Sequence, residues 1–232
     1  MITIRKSSDR GHFNHGWLES YHTFSFAGYR DPKHVHFRAL RVLNDDVIAP
    51  GRGFGEHPHD NMEILTWVLS GSLAHKDSLG HERSLRHGEL QRMSAGTGIE
   101  HSEYNGSKTE PVRLLQIWLM PESHETRPAY DQKEFPAAGR KNALQLVASP
   151  DSAAGSLSIG QDARMYVGEI DAGKAVSLEL KPGRHAWVQI ARGSVTLNGQ
   201  ALAEGDGAAV SNEAALSIVA TTEAEVVLFD LG

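Results

Sequence analysis

Four side chains stand out by type and spacing: His57, His59, His101 and Glu103. They form two X-x-X pairs, His57-Pro58-His59 and His101-Ser102-Glu103, about forty residues apart. In an extended chain side chains alternate, so residues i and i+2 share a face about 7 Å apart. Two such pairs on neighbouring strands would bring three imidazoles and a carboxylate to one point, a nitrogen and oxygen set suited to a divalent transition metal.

Three neutral imidazoles and one carboxylate leave a divalent ion with a residual positive charge. Such an ion attracts an anionic oxygen and lowers the pKa of a bound hydroxyl or water. Four protein ligands leave one or two places on a five- or six-coordinate ion, whereas a structural zinc is closed at four, usually with cysteines. Cysteine is absent from the 232 residues, which excludes disulfides, thiolate sites and thiol nucleophiles.

The elements that must position these residues read as β-strands. Short apolar runs at 64–69, 112–120, 144–148, 165–170, 175–180, 187–191, 194–198 and 225–231 are separated by Gly, Asn, Asp or Pro. Gly71, Gly80, Gly88, Gly193, Gly199 and Gly205 sit where turns are needed. No long stretch has a 3.6-residue period, so an all-β sandwich or barrel is expected. Residues 121–139, with three prolines and many charges, read as a linker or surface crossover.

Two stretches repeat faintly. WVLSGSLAHKDSLGHERSLRHGELQRMSAGTG (67–98) and WVQIARGSVTLNGQALAEGDGAAV (187–210) share a pattern of strand, Gly turn, strand, loop and strand. This implies duplication of one β-domain. The second copy retains His185, with Trp187 where a second histidine would fall, and has no counterpart of His101 or Glu103. It is expected to lack a metal.

The distribution of charge agrees. The net charge is −6, and residues 1–124 carry 14 Lys and Arg against 15 Asp and Glu, while residues 125–232 carry 9 against 14. Neither half has the basic excess of a nucleic-acid binder. Twelve of thirteen histidines lie in the first 124 residues, which places the chemistry there. The N-terminus has no apolar leader and no run is long enough to span a bilayer, so a cytoplasmic protein without membrane contact is expected.

The first copy resembles the two cupin motifs. Gly51, His57-x-His59, Glu63 and Gly71 follow the first motif with one extra residue. Gly88, Gly98, His101 and Asn105 follow the second, with a two-residue insertion and Ser94 in place of the usual proline. With Arg10-Gly11-His12, Gly16-Trp17-Leu18 and His22-Thr23-Phe24-Ser25-Phe26, the stretches HPHDNMEILTWVLSG and MSAGTGIEHSEYN resemble specifically the pirin family.

That resemblance implies a bicupin, two tandem jelly-roll β-barrels packed face to face. Residues 1–133 would form a metal-binding N-terminal cupin and 134–232 a C-terminal cupin without metal. The implied ligands are His57, His59, His101 and Glu103. The usual cupin carboxylate, four residues after the second histidine, is Glu63, so both glutamates stand as alternatives, the pirin pattern favouring Glu103. One divalent transition metal is implied, Fe(II) first, with Mn, Co, Ni, Cu or Zn as alternatives. Bacterial pirins are similar in site layout to quercetin 2,3-dioxygenases, so the expected activity is oxidative cleavage of a flavonol. Its partners would be a small aromatic substrate and dioxygen, in a monomer that contacts no nucleic acid directly, with Glu103 also acting as catalytic proton acceptor. The alternative is a non-enzymatic, iron-binding regulator acting through a protein partner, as the animal pirins imply.

The remaining candidates have simpler readings. His12, His15, His22, His34 and His36 repeat no ligand spacing and read as surface or hydrogen-bonded residues. His75, His81 and His87 fall in hairpin-like sequence and read as solvated. Phe24, Phe26, Trp67 and Trp118 alternate with polar residues and read as core, some of them available to line a pocket for a flat substrate.

Overall fold

Strands build more than half of the chain and helix almost none of it. The computed structural model describes all 232 residues, and they divide into two compact units. One comprises Gly11–Glu134 and Ile159–Gln161; the other comprises Met1–Arg10, Phe135–Ser158 and Asp162–Gly232. No helix is long and apolar enough to cross a membrane.

The first unit holds a seven-stranded sheet in the order Ala129–Glu134, Glu89–Ser94, Glu63–Ser70, Val112–Leu119, Leu40–Ile48, Leu18–His22 and Gly11–Asn14. A four-stranded sheet in the order Gly53–His59, Ile99–Asn105, Ser72–Asp77 and Glu82–Arg86 completes it. Leu18, Ile48, Val68, Val112 and Leu114 of the larger sheet pack with Leu73 and Leu85 of the smaller. Burying each such side chain contributes about 1.5–3 kcal/mol. A second apolar cluster of Ile64, Met93, Ala95 and Ile99 packs with Met62 and Trp118.

The second unit repeats the plan. Its larger sheet runs Ile2–Arg5, Gly207–Ser211, His185–Arg192, Ala224–Leu231, Ala163–Ile170, Gln145–Ser149 and Leu157–Ser158. Its smaller sheet runs Ala175–Glu179, Ala215–Ala220, Ser194–Leu197 and Gln200–Ala203. One continuous aliphatic cluster, including Val188, Ile190, Val195, Leu197, Ile218, Val226 and Leu228, fills it.

Gly71 and Gly193 mark the same turn in both units. They have φ of 78° and 72°, in the left-handed region that favours glycine. A Cβ would stand 2.7 Å from the Pro111 carbonyl oxygen at Gly71 and 2.0 Å from that of Glu223 at Gly193. Both turns link a strand of the large sheet to one of the small sheet, which is why the repeat is legible there.

Three expectations change. Residues 1–10, read as the start of the N-terminal domain, lie with the second unit, because Ile2–Arg5 pairs with Gly207–Ser211 and Lys6 Nζ reaches Asp206 Oδ2 at 2.8 Å. Residues 121–139 are more than a linker: Ala129–Glu134 adds an edge strand against Glu89–Ser94, and Ala137–Arg140 forms one helical turn. Between Pro128 and Pro136 the segment has room for that short strand, with the prolines confined to its flanks. His185 does not replace a member of the first histidine pair. It lies on the counterpart of Glu63–Ser70, with its Nδ1 2.7 Å from Ser211 Oγ, whereas the counterpart of Gly53–His59 is Ala175–Glu179.

Candidate metal centre

The four-stranded sheet of the first unit carries the proposed ligands. His101 lies directly opposite His57 across antiparallel strands, and His59 follows His57 by two residues, so all three imidazoles point to one side. Their ring centroids are 4.7 Å (His57–His59), 4.5 Å (His57–His101) and 4.8 Å (His59–His101) apart. One ligand nitrogen from each lies within 4.8 Å of the others.

The pairing shifts between His101 and Glu103, where three steps along Gly53–His59 match two along Ile99–Asn105. This bulge sets Phe54 opposite Glu103, so that Phe54 and His57 line the same cavity despite their odd spacing. Glu103, two residues after His101, belongs to a second group with His101 and His75, again within 4.8 Å. The two groups share His101.

Each of these side chains is held by its neighbours. His57 Nδ1 lies 2.8 Å from the Gly55 carbonyl oxygen, to which it donates, leaving Nε2 as the free lone pair. Gln91 Nε2 donates to Glu103 Oε1 at 3.1 Å, and Tyr130 Oη donates to Gln91 Oε1 at 3.4 Å. His59 meets the edge of Trp118 at 4.9 Å. Burial first, then the neighbouring histidines, push His101 down to about 3 and His59 down to about 4. Both are therefore neutral near pH 7, the form that coordinates a metal.

The residues fit a divalent ion. His101 is buried, and its Nε2 has no hydrogen-bond partner in the protein. Leaving a buried nitrogen unpaired is unfavourable by about 1–3 kcal/mol, and a bound cation would satisfy it. Glu63, the alternative carboxylate, is engaged elsewhere: Ser94 Oγ donates to its Oε2 at 2.9 Å and the Gly160 backbone also bonds to it. It joins neither histidine group and does not line the cavity.

A cavity of about 270 Å³ is lined by three of these side chains, His57, His59 and Glu103. Phe26, Phe54, Leu114 and Trp118 form its apolar walls, with Phe26 and Trp118 meeting edge to face at 5.4 Å. Asn44, Asp46 and Gln116 add a polar stripe from adjacent strands, Asn44 directly opposite Gln116 and Asp46 opposite Leu114. Asn44 Oδ1 and Trp118 Nε1 are buried without a protein partner. Burial pushes Asp46 up to about 7 against the opposing hydrogen bond donated by Ser20.

Of the aromatics read as core, Phe24 and Trp67 are buried, whereas Phe26 and Trp118 line the cavity. His75 and His81, read as solvated, differ. His75 is buried and His81 half-buried, the two stacking against Tyr130 at 4.7 and 4.8 Å. The signal for His75 was present in the sequence: Leu73, His75 and Asp77 alternate with exposed Lys76, so an inward Leu73 carries His75 and Asp77 inward. His87 is exposed as expected. His12 pairs with Glu19 and His34 with Asp31, while His22 is buried among Phe13, Phe26 and Tyr29.

Comparison with known proteins agrees with this architecture. Residues 3–119 match the model of the Pirin family. The chain belongs to the pirin family. Residues 146–231 match a second model, the quercetinase C-terminal cupin domain, so the two-unit all-β fold is that of a bicupin. Over 231 residues the chain is 50% identical to an Escherichia coli protein named quercetin 2,3-dioxygenase, covering 100% of this chain and 99% of that one. It is 42% identical to a pirin-like protein of Caulobacter vibrioides, with 97% and 98% coverage. The crystal structure of the bacterial pirin YhhW from Escherichia coli in complex with nickel(II) superposes with a TM-score of 0.95. It is 49% identical, with 100% of this chain and 99% of that chain covered.

Proposed function

We propose that this protein is a metal-dependent dioxygenase that opens a flavonol such as quercetin, with the chemistry confined to the N-terminal cupin. The observation that carries this reading is the juxtaposition of three clustered imidazoles and Glu103 with an aromatic-walled cavity of about 270 Å³. The 50% identity to the Escherichia coli protein of that name supports it. His57, His59, His101 and Glu103 would hold one divalent ion, with iron(II) our first choice and nickel(II) a strong second given the nickel-bound relative. When bound, the ion would acidify the substrate hydroxyl and activate the ring toward dioxygen.

The chain's own groups supply the rest. Phe26, Phe54, Leu114 and Trp118 flank a planar ring and exclude water. Trp118 Nε1–H offers a hydrogen bond to a carbonyl or phenolate oxygen, and Asn44 Oδ1 accepts one from a hydroxyl. These two unpaired groups fit a ligand that carries both functions. Glu103 accepts the proton of the substrate's 3-hydroxyl, and Gln91 holds that carboxylate in place. Ring opening then incorporates both atoms of dioxygen and releases carbon monoxide.

Purified protein loaded with metal is expected to consume oxygen in the presence of quercetin and to bleach its visible absorption, whereas His101→Ala does neither. Absence of turnover with iron, manganese, cobalt, nickel and copper alike would remove the assignment.

A further inference from the structure

A line of buried groups leads away from the cavity behind His101. Asp77 and His75 have fully buried side chains, and Asp77 Oδ2 lies 3.0 Å from His75 Nε2. His75 Nδ1 in turn lies 3.5 Å from His101 Nδ1. We propose that Asp77 and His75 are positioning residues. Their hydrogen-bond relay fixes His101 in the tautomer whose Nε2 lone pair faces the metal site, and the buried carboxylate at its end strengthens that nitrogen as a donor. The proposal rests on the reading of His101 as a metal ligand.

The proton assignment follows from what each group is able to do. The backbone N–H groups of Leu79 and His81 donate to Asp77 Oδ1 at 2.9 and 3.0 Å, bonds that favour the ionised carboxylate, which only accepts. His81 Nδ1 adds a further contact at 3.0 Å to Asp77 Oδ2. His75 Nε2 must then carry the proton. In the proposed relay His75 carries that one proton only, which makes its Nδ1 an acceptor. The 3.5 Å contact with His101 then places the proton on His101 Nδ1, and the remaining nitrogen, Nε2, is the buried atom with no protein partner.

The surroundings hold this arrangement rigidly. Tyr130 stacks on His75 with an interplanar angle of 23° and on His81 at 22°. Pairing places Asp77 beside His101 and His75 beside Glu103 on adjacent strands. At the same place in the second unit Leu197 stands where His75 does, paired with Ile218 as His75 is with Glu103, and its side chain cannot hydrogen-bond. Groups outside the ligand set that orient metal-bound histidines typically affect affinity by about 10–100-fold.

Long-range ¹⁵N NMR of histidine-labelled, metal-free protein reads the tautomer directly, and nickel(II) titration reads affinity. Wild type is expected to show the Nδ1–H tautomer at His101. Asp77→Asn turns an amide N–H toward His75, reverses the relay, shifts His101 to the Nε2–H form and weakens nickel(II) binding about 10–100-fold. His75→Leu, which removes the acceptor at similar volume, gives the same loss. His75→Gln keeps an amide oxygen facing His101 and stays close to wild type. A wild-type Nε2–H form, or unchanged tautomer and affinity in both Asp77→Asn and His75→Leu, overturns the relay. Full nickel(II) binding by His101→Ala overturns instead the ligand reading beneath it.

Discussion

The two units share a strand plan but fill it with opposite chemistry. In the first, the central strand of the small sheet presents His101 and Glu103, with His57 on one neighbour and His75 and Asp77 on the other. In the second, the equivalent central strand presents Ile218 between Val176 and Leu197. The large sheets differ in the same way: Thr66, Gln91, Asn44 and Asp46 face inward in one, and Val188, Ala208 and Val226 are buried in the other. An all-aliphatic interior is the more favourable filling for a β-sandwich, because each polar group taken from water must find a partner. The first unit instead keeps Asn44 Oδ1 and Trp118 Nε1 unpaired on the cavity wall, and His101 Nε2 unpaired beside His57 and His59. Departures from good packing of this kind mark functional ground.

The sharpest way to break the contrast is to remove the proposed ligands from the first unit. His101→Ala and Glu103→Ala are expected to bring bound metal, measured by elemental analysis, and quercetin-dependent oxygen uptake below detection. Glu63→Ala retains metal. The reverse pattern for the two glutamates would transfer the carboxylate role to Glu63.

The second unit should respond in stability alone. Ile218→Ala leaves a cavity in the aliphatic cluster and is expected to lower unfolding free energy by about 2–5 kcal/mol. Denaturant titration checks this, and the metal content of the folded fraction should not change.

Asp46 offers a pH-dependent test between these extremes. Its carboxyl is pushed up to about 7 from an ordinary 3.8, so between those values the folded state binds more protons than the unfolded state. The metal-free protein loses stability from this group as pH rises through that window. Asp46→Asn, which can still accept from Ser20, is expected to raise the melting temperature at pH 8 and to have little effect near pH 4. An equal shift at both pH values would show that folding does not raise the Asp46 carboxyl.

The smallest effect belongs to His185. Removing its contact with Ser211 by His185→Ala should destabilise by about 1 kcal/mol, without loss of metal or activity. Metal loss in this variant would contradict the division of labour between the units.

Much of this was legible from local pattern. All eight apolar runs read as strands are strands, and Gly71, Gly80, Gly88, Gly193, Gly199 and Gly205 all adopt positive φ. Period-two alternation and turn stereochemistry are properties of a few consecutive residues, so they can be read without the fold. The His57-x-His59 spacing belongs to the same class, because two residues in one strand share a face wherever that strand lies.

Tertiary structure decided the rest. The bulge that brings Phe54 beside His57, the placing of Glu63 against Ser94 and Gly160, and the docking of Ile2–Arg5 on Gly207–Ser211 all depend on register between distant segments. His75 looked solvated because its hairpin is rich in charge, yet the opposing sheet and Tyr130 cover it. The amino-acid order by itself determined which way side chains alternate and where the chain turns, since both arise from backbone geometry within a strand. Which of those side chains meet, and which are shut away from water, depended on what the other strands and the facing sheet placed against them.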